Sequence, residues 1–84
     1  MLTKTKATPT LDKLRPGESA TIRALQGDTE LIHRLTALGV RAGKGVQVLR
    51  RASFAGPLHV RVGTTDLMLR VSEACCIGVE PAQV

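Results

Sequence analysis

Aromatic side chains are almost missing from this chain, which has one phenylalanine, no tyrosine and no tryptophan among 84 residues. Single-stranded nucleic acid is held by stacking bases on aromatic rings, and polyproline peptides lie in aromatic-lined grooves, so neither mode can be built here. Long apolar runs are missing too. No stretch approaches the roughly 18 apolar residues of a membrane span, and the basic N-terminal segment is not followed by the apolar core of about 7 residues that a secretion signal needs. The chain is therefore expected to be neither membrane-spanning nor secreted by a standard signal. Its two cysteines, Cys75 and Cys76, are neighbours in sequence. A bond between them would close a strained ring and constrain almost no chain, so they read as reduced thiols in the cytoplasm.

Catalytic groups are equally scarce. Hydrolytic or transfer chemistry needs a nucleophile, a base and a polarising group within hydrogen-bond reach of one another. Two histidines, two adjacent cysteines and no acid pair set in an apolar pattern do not supply them. No glycine-rich phosphate loop follows a strand and opens a helix, and Gly43-Lys44-Gly45 is only a short turn. The chain is expected not to be an enzyme.

What is present is basic charge and an aliphatic core. Twelve Lys and Arg against seven Asp and Glu leave a formal charge of +5, which favours an acidic partner without choosing among protein, nucleic acid and membrane. No acidic residue lies between Glu30 and Asp66, whereas Arg34, Arg41, Lys44, Arg50, Arg51 and Arg61 all do. A chain of this length hides only about 60% of its surface on folding, enough for one small core.

The order of elements follows from punctuation and period. Residues 1–9 are polar and end at Pro9, and are expected to be a flexible N-terminal arm. Residues 10–84 form the single domain. Thr10 can cap a short helical turn carrying Leu11 and Leu14, and Arg15-Pro16-Gly17-Glu18 suits a type II turn. A strand follows over Ser19–Leu25, with Ala20, Ile22 and Ala24 alternating inward. Asp28 then caps a helix whose stripe is Leu31, Leu35 and Leu38, closed by Gly39. Strands are expected over Val46–Arg51, Leu58–Val62, Asp66–Val71 and Cys75–Glu80, with a helical turn at Ser72–Ala74. Mainly β, with about five short strands and one helix between the first two, this predicts a small antiparallel barrel closed on itself. The core should hold Ile22, Leu31, Leu35, Leu38, Val46, Val48, Leu58, Val60, Val62, Leu67, Leu69, Ile77 and Val79.

The joint order of Leu11-x-x-Leu14-x-Pro16-Gly17-Glu18, Ile22, Arg34-Leu35-x-x-Leu38-Gly39, Gly43 with Val46 and Val48, Gly56-Pro57-Leu58-x-Val60, and Leu69-Arg70-x-x-Glu73-Ala74-x-x-Ile77-x-Val79 resembles the FeoA family. The resemblance spans about residues 11 to 80. It implies an SH3-like barrel and a cytosolic accessory role beside FeoB, the bacterial ferrous-iron permease. Ala42 stands where the family often has proline, and the Cys75-Cys76 pair and the N-terminal arm are not features of the pattern. Similar barrels form the C-terminal domain of some metal-dependent repressors, but this chain has no room for a helix-turn-helix, which argues against direct repression.

Three functional expectations follow. On the first, the chain binds the cytosolic part of the permease, reaches the membrane only through that partner, and uses Arg34, Arg41, Arg50 and Arg51 for the contact. On the second, it is a basic small barrel that binds structured nucleic acid through phosphates. On the third, it is a divalent-metal-responsive regulatory domain. No cofactor is required on any of them. Glu30, His33, His59 and Cys76 are the candidate ligands for a weakly held Fe2+ or Zn2+, completed between two copies in a homodimer. The simpler account of Glu30 is a surface ion pair with Arg34, one helical turn on. That of Cys75 is a small buried hydrophobe facing the same way as Ile77 and Val79.

Overall fold

The computed structural model describes residues 9–53 and 56–81. A 3-10 turn, Leu11–Lys13, leads to strand β1 (Ser19–Leu25), helix α1 (Thr29–Ala37), β2 (Gly45–Arg51), β3 (Leu58–Val62), β4 (Thr65–Leu69), the one-turn helix α2 (Val71–Ala74) and β5 (Ile77–Pro81). All strand pairings are antiparallel, and the spatial order is β4-β3-β2-β1-β5. This is the expected mainly-β, SH3-like architecture, with α1 between the first two strands.

The expected closure needs correcting. Among the described residues no backbone ladder joins β4 to β5, because the chain between them folds into α2. There Ala74 N–H donates to the Arg70 carbonyl and Cys75 N–H to that of Val71, each at 2.9 Å. β4 and β5 are thus the two ends of the sheet order, with the helical turn joining them in sequence. The last strand accordingly starts at Ile77, and Cys75 and Cys76 lie before it in a turn.

Two register shifts re-aim side chains. One lies between Ile22 and Ala24, and leaves Ala24 exposed and Leu25 partly buried against the core, against simple alternation. The other lies between Val48 and Arg50. Beyond it Arg50 stands opposite His59 on the outer face, and Arg51 stands opposite the buried Leu58.

Ile22, Leu35, Val46, Val48, Leu58, Val60, Val62, Leu69, Ile77 and Val79 are buried as expected, and Leu31 and Leu67 pack against them half-buried. Leu38 does not join them and is 43% exposed. Helix α1 ends at Ala37, and Val40 N–H bonds the Leu35 carbonyl at 2.9 Å while Gly39 N–H bonds that of Thr36 at 3.0 Å. These two bonds form a Schellman close, which needs Gly39 at φ 99° and folds Val40 rather than Leu38 onto Leu35.

The segment before β1 belongs to the domain. Leu11 and Leu14 are buried, and the type II turn forms with Gly17 at φ 92° and Glu18 N–H on the Arg15 carbonyl at 3.0 Å. Thr10 does not cap the 3-10 turn through its side chain, which instead donates to the Asp12 carboxylate. Pro9, the last residue of the expected arm, accepts from Val79 N–H at 2.9 Å, while residues 1–8 lie outside the described residues. Among the described residues no helix is long and apolar enough to cross a membrane.

Candidate interaction surface

Helix α1 starts where Asp28 accepts the Leu31 N–H at 2.8 Å. That start turns Leu35 into the core and leaves Arg34 on the open side, facing α2. Arg34 Nη2 donates to Glu73 Oε2, and Glu73 Oε1 accepts the Arg70 N–H at 2.9 Å. One carboxylate thus caps α2 and ties it to α1. The expected Glu30–Arg34 ion pair does not form; Glu73 takes its place, because the fold brings a half-buried carboxylate to the guanidinium from across the barrel.

Between α1, the end of β4 and α2 lies an open groove of about 770 Å³. Leu31, Pro57, Met68 and Leu69 give it apolar walls, and Arg34, Arg70, Ser72 and Glu73 give it a polar margin. Met68 is 63% exposed. It occupies the outward position between Leu67 and Leu69 on β4, where a polar residue would be ordinary.

Met68 also stands opposite His59, which stands opposite Arg50, so the three form one row across β4, β3 and β2. A second row holds Asp66, Arg61 and Gln47. Asp66 accepts from Arg61 Nε at 2.8 Å and lies 3.2 Å from His59 Nε2. Arg61 holds the Asp66 carboxyl below the usual carboxylate range, with His59 adding to the effect, and the Arg61 guanidinium is itself pushed up by Asp66.

The four arginines expected at the partner are dispersed. Arg34 borders the groove and Arg50 lies on the outer row leading to it. Arg41 is exposed in the turn before β2. Arg51 is half-buried, and its Nη1 donates to the main-chain oxygens of Asp12 at 2.8 Å and Leu14 at 3.0 Å.

The candidate metal ligands are not gathered. Glu30 and His33 are exposed on α1, His59 is turned to Asp66, and Cys76 follows α2. Among the described residues no three His, Cys, Asp or Glu side chains group so as to hold a metal ion. Cys75 is exposed rather than buried, because it ends α2 instead of opening β5. Sequence reasoning missed Met68 and the groove. The available signal was a large apolar residue in the outward register of β4, just before Arg70-x-x-Glu73.

A family model described as the FeoA domain matches residues 10–81. No curated protein matches the chain. Among solved structures, FeoA of Stenotrophomonas maltophilia complexed with zinc is 33% identical at a TM-score of 0.76, over 86% of this chain and 89% of that one. That protein is described as an SH3 domain protein and a candidate bacterial ferrous iron transport activating factor. Iron(II) transport protein A of Clostridium thermocellum is 30% identical at a TM-score of 0.83, over 88% of this chain and 46% of that one. A manganese-dependent transcriptional repressor is 22% identical at a TM-score of 0.83, over 94% of this chain and 44% of that one, a likeness of fold alone.

Proposed function

Because the chain belongs to the FeoA domain family, we propose that it is a non-catalytic accessory protein of bacterial ferrous-iron uptake, acting in the cytoplasm by docking on the cytosolic part of the FeoB permease. Ferrous iron is the permease's cargo, and no residue of this chain is assigned a step upon it. The observation that carries the reading is the match over residues 10–81, which includes the Arg34, Leu69, Arg70 and Glu73 that meet at the groove.

The groove and the outer row supply what docking needs. Burying an exposed methionine contributes roughly 1.5–3 kcal/mol before the costs of association. Arg70 and Arg50 favour an acidic partner surface and would raise the association rate, and Arg34 would join them by sharing the guanidinium that Glu73 holds. Arg41, in the turn before β2, is not among the residues that line the groove. Arg51 would reach a partner only by giving up two main-chain acceptors, so its role is assigned to holding the fold.

Phosphate binding has less support. Of the six basic residues between Glu30 and Asp66, Arg34, Arg51 and Arg61 are each engaged with an acceptor inside the chain, leaving Arg41, Lys44 and Arg50 for the task. The zinc of the Stenotrophomonas maltophilia relative finds no matching set of three grouped ligands among the described residues here, so a metal-responsive role would require ligands from a second copy.

Co-purification with the cytosolic part of FeoB tests the proposal. Met68→Glu and the double variant Arg34→Glu/Arg50→Glu should each lose retention that the unaltered protein has. No retention of the unaltered protein would remove the partner, and equal retention of all three would remove this surface.

A further inference from the structure

Cys75 and Cys76 have no place in the docking surface just described. In a strand their side chains would point to opposite faces. Here they follow α2 in a helical turn, Cys75 at φ −73° and ψ −6°, and both thiols turn to the same acceptor. Cys75 Sγ lies 3.2 Å and Cys76 Sγ 3.5 Å from the main-chain oxygen of Ser72. Cys75 is exposed and Cys76 half-buried, its sulfur on the side where a Cβ at Gly27, in the turn after β1, would meet it.

We propose that Cys75 and Cys76 form a bidentate dithiol site for a trivalent arsenical. Two features select this ligand. A direct disulfide requires the sulfurs at about 2.05 Å and closes a strained ring between adjacent residues, whereas one larger atom bridging both sulfurs accepts a wider bite. The donor set also consists of two sulfurs, with no third metal-binding side chain grouped beside them among the described residues. A four-coordinate ion such as Zn2+ is poorly served by that set. A trivalent arsenical brings its third substituent with it.

The reaction balances without an oxidant. An organoarsenic(III) oxide, R–As=O, forms two As–S bonds, and its oxygen leaves as water with the two thiol protons, while arsenic stays trivalent. Burial and the neighbouring Cys75 thiol push the Cys76 thiol up, and forming the As–S bond displaces the proton of that thiol. The site adjoins the groove, since Ser72, whose carbonyl meets both sulfurs, also lines it.

The test is titration of the purified chain with phenylarsine oxide, following free thiols with a colorimetric disulfide reagent and mass by intact-protein spectrometry. One arsenic should bind per chain with loss of both thiols, reversed by a dithiol and not by an equal concentration of a monothiol. Cys75→Ser and Cys76→Ser should each weaken binding by roughly 10²-fold or more, the usual gain from linking two binding groups. Circular dichroism checks that both variants stay folded. Retained affinity in either single variant, one thiol consumed per arsenic, or Zn2+ bound more tightly than the arsenical through the same two thiols would each overturn the proposal.

Discussion

One guanidinium nitrogen of Arg51 lies 3.0 Å from the main-chain oxygen of Leu14, and the same nitrogen also meets the Asp12 oxygen at 2.8 Å. The charged side chain at the end of β2 therefore fastens the 3-10 turn, and with it the buried Leu11 and Leu14, to the barrel. Hydrogen bonds to a charged group in a half-buried place stabilise by about 1.5–3 kcal/mol. Arg51→Ala should lower the urea midpoint by a corresponding amount, and Arg51→Lys should recover only part because its ammonium is more strongly hydrated than a guanidinium and costs more to bring into a half-buried place. Equal midpoints for Arg51→Ala and the unaltered chain would remove the clamp.

The two leucines of the α1 stripe should separate clearly. Leu35 is fully buried and Leu38 is 43% exposed. Leu35→Ala should cost about 2–5 kcal/mol, and Leu38→Ala less than about 1 kcal/mol. Thermal unfolding of both variants decides the matter, and a larger loss at Leu38 would show that the helix packs through a different face.

How much of this could be read from the sequence is visible at the same residues. Period-2 alternation placed Val46, Val48, Val60 and Val62 correctly, because an antiparallel strand with one buried face has only one register that keeps those residues inside. It fails at bulges, which leave no signature in composition. Counting by twos from Val48 puts Arg50 inward and Arg51 outward, and the register shift between Val48 and Arg50 reverses both. The Leu38 error has a readable cause, since Gly39-Val40 is a Schellman signal and the apolar residue after the glycine takes the packing place. Only one wall of the groove was legible, through Met68 in the outward register of β4. The groove depends on Arg34 meeting Glu73, residues 39 apart in sequence, with Met68 alongside.

Glu73 has two tasks, capping Arg70 N–H at 2.9 Å and accepting from Arg34. Loss of a cap costs about 0.5–2 kcal/mol, whereas a largely solvated ion pair contributes about 0–1 kcal/mol. Glu73→Ala should therefore destabilise more than Arg34→Ala. Glu73→Gln, which keeps an acceptor for the Arg70 N–H, should fall between them. Chemical denaturation ranks the three, and Arg34→Ala as the most harmful would mean that the ion pair, not the cap, holds α2.

Asp66 offers a test by pH. Arg61, and after it His59, hold its carboxyl below the usual carboxylate range in the folded chain. The native state thus binds fewer protons there than the unfolded one through that range, so the contribution of Asp66 is present above the ordinary carboxylate pKa and is lost as pH falls through the lowered folded value. The group is exposed, and the change in stability should be small, so the sharper measurement is the carboxyl titration of Asp66 by NMR. Arg61→Met should move the midpoint back up towards the ordinary value by more than His59→Gln does, because the Arg61 hydrogen bond is the larger cause. A larger rise with His59→Gln would mean that the histidine, not the arginine, holds the carboxylate between β3 and β4.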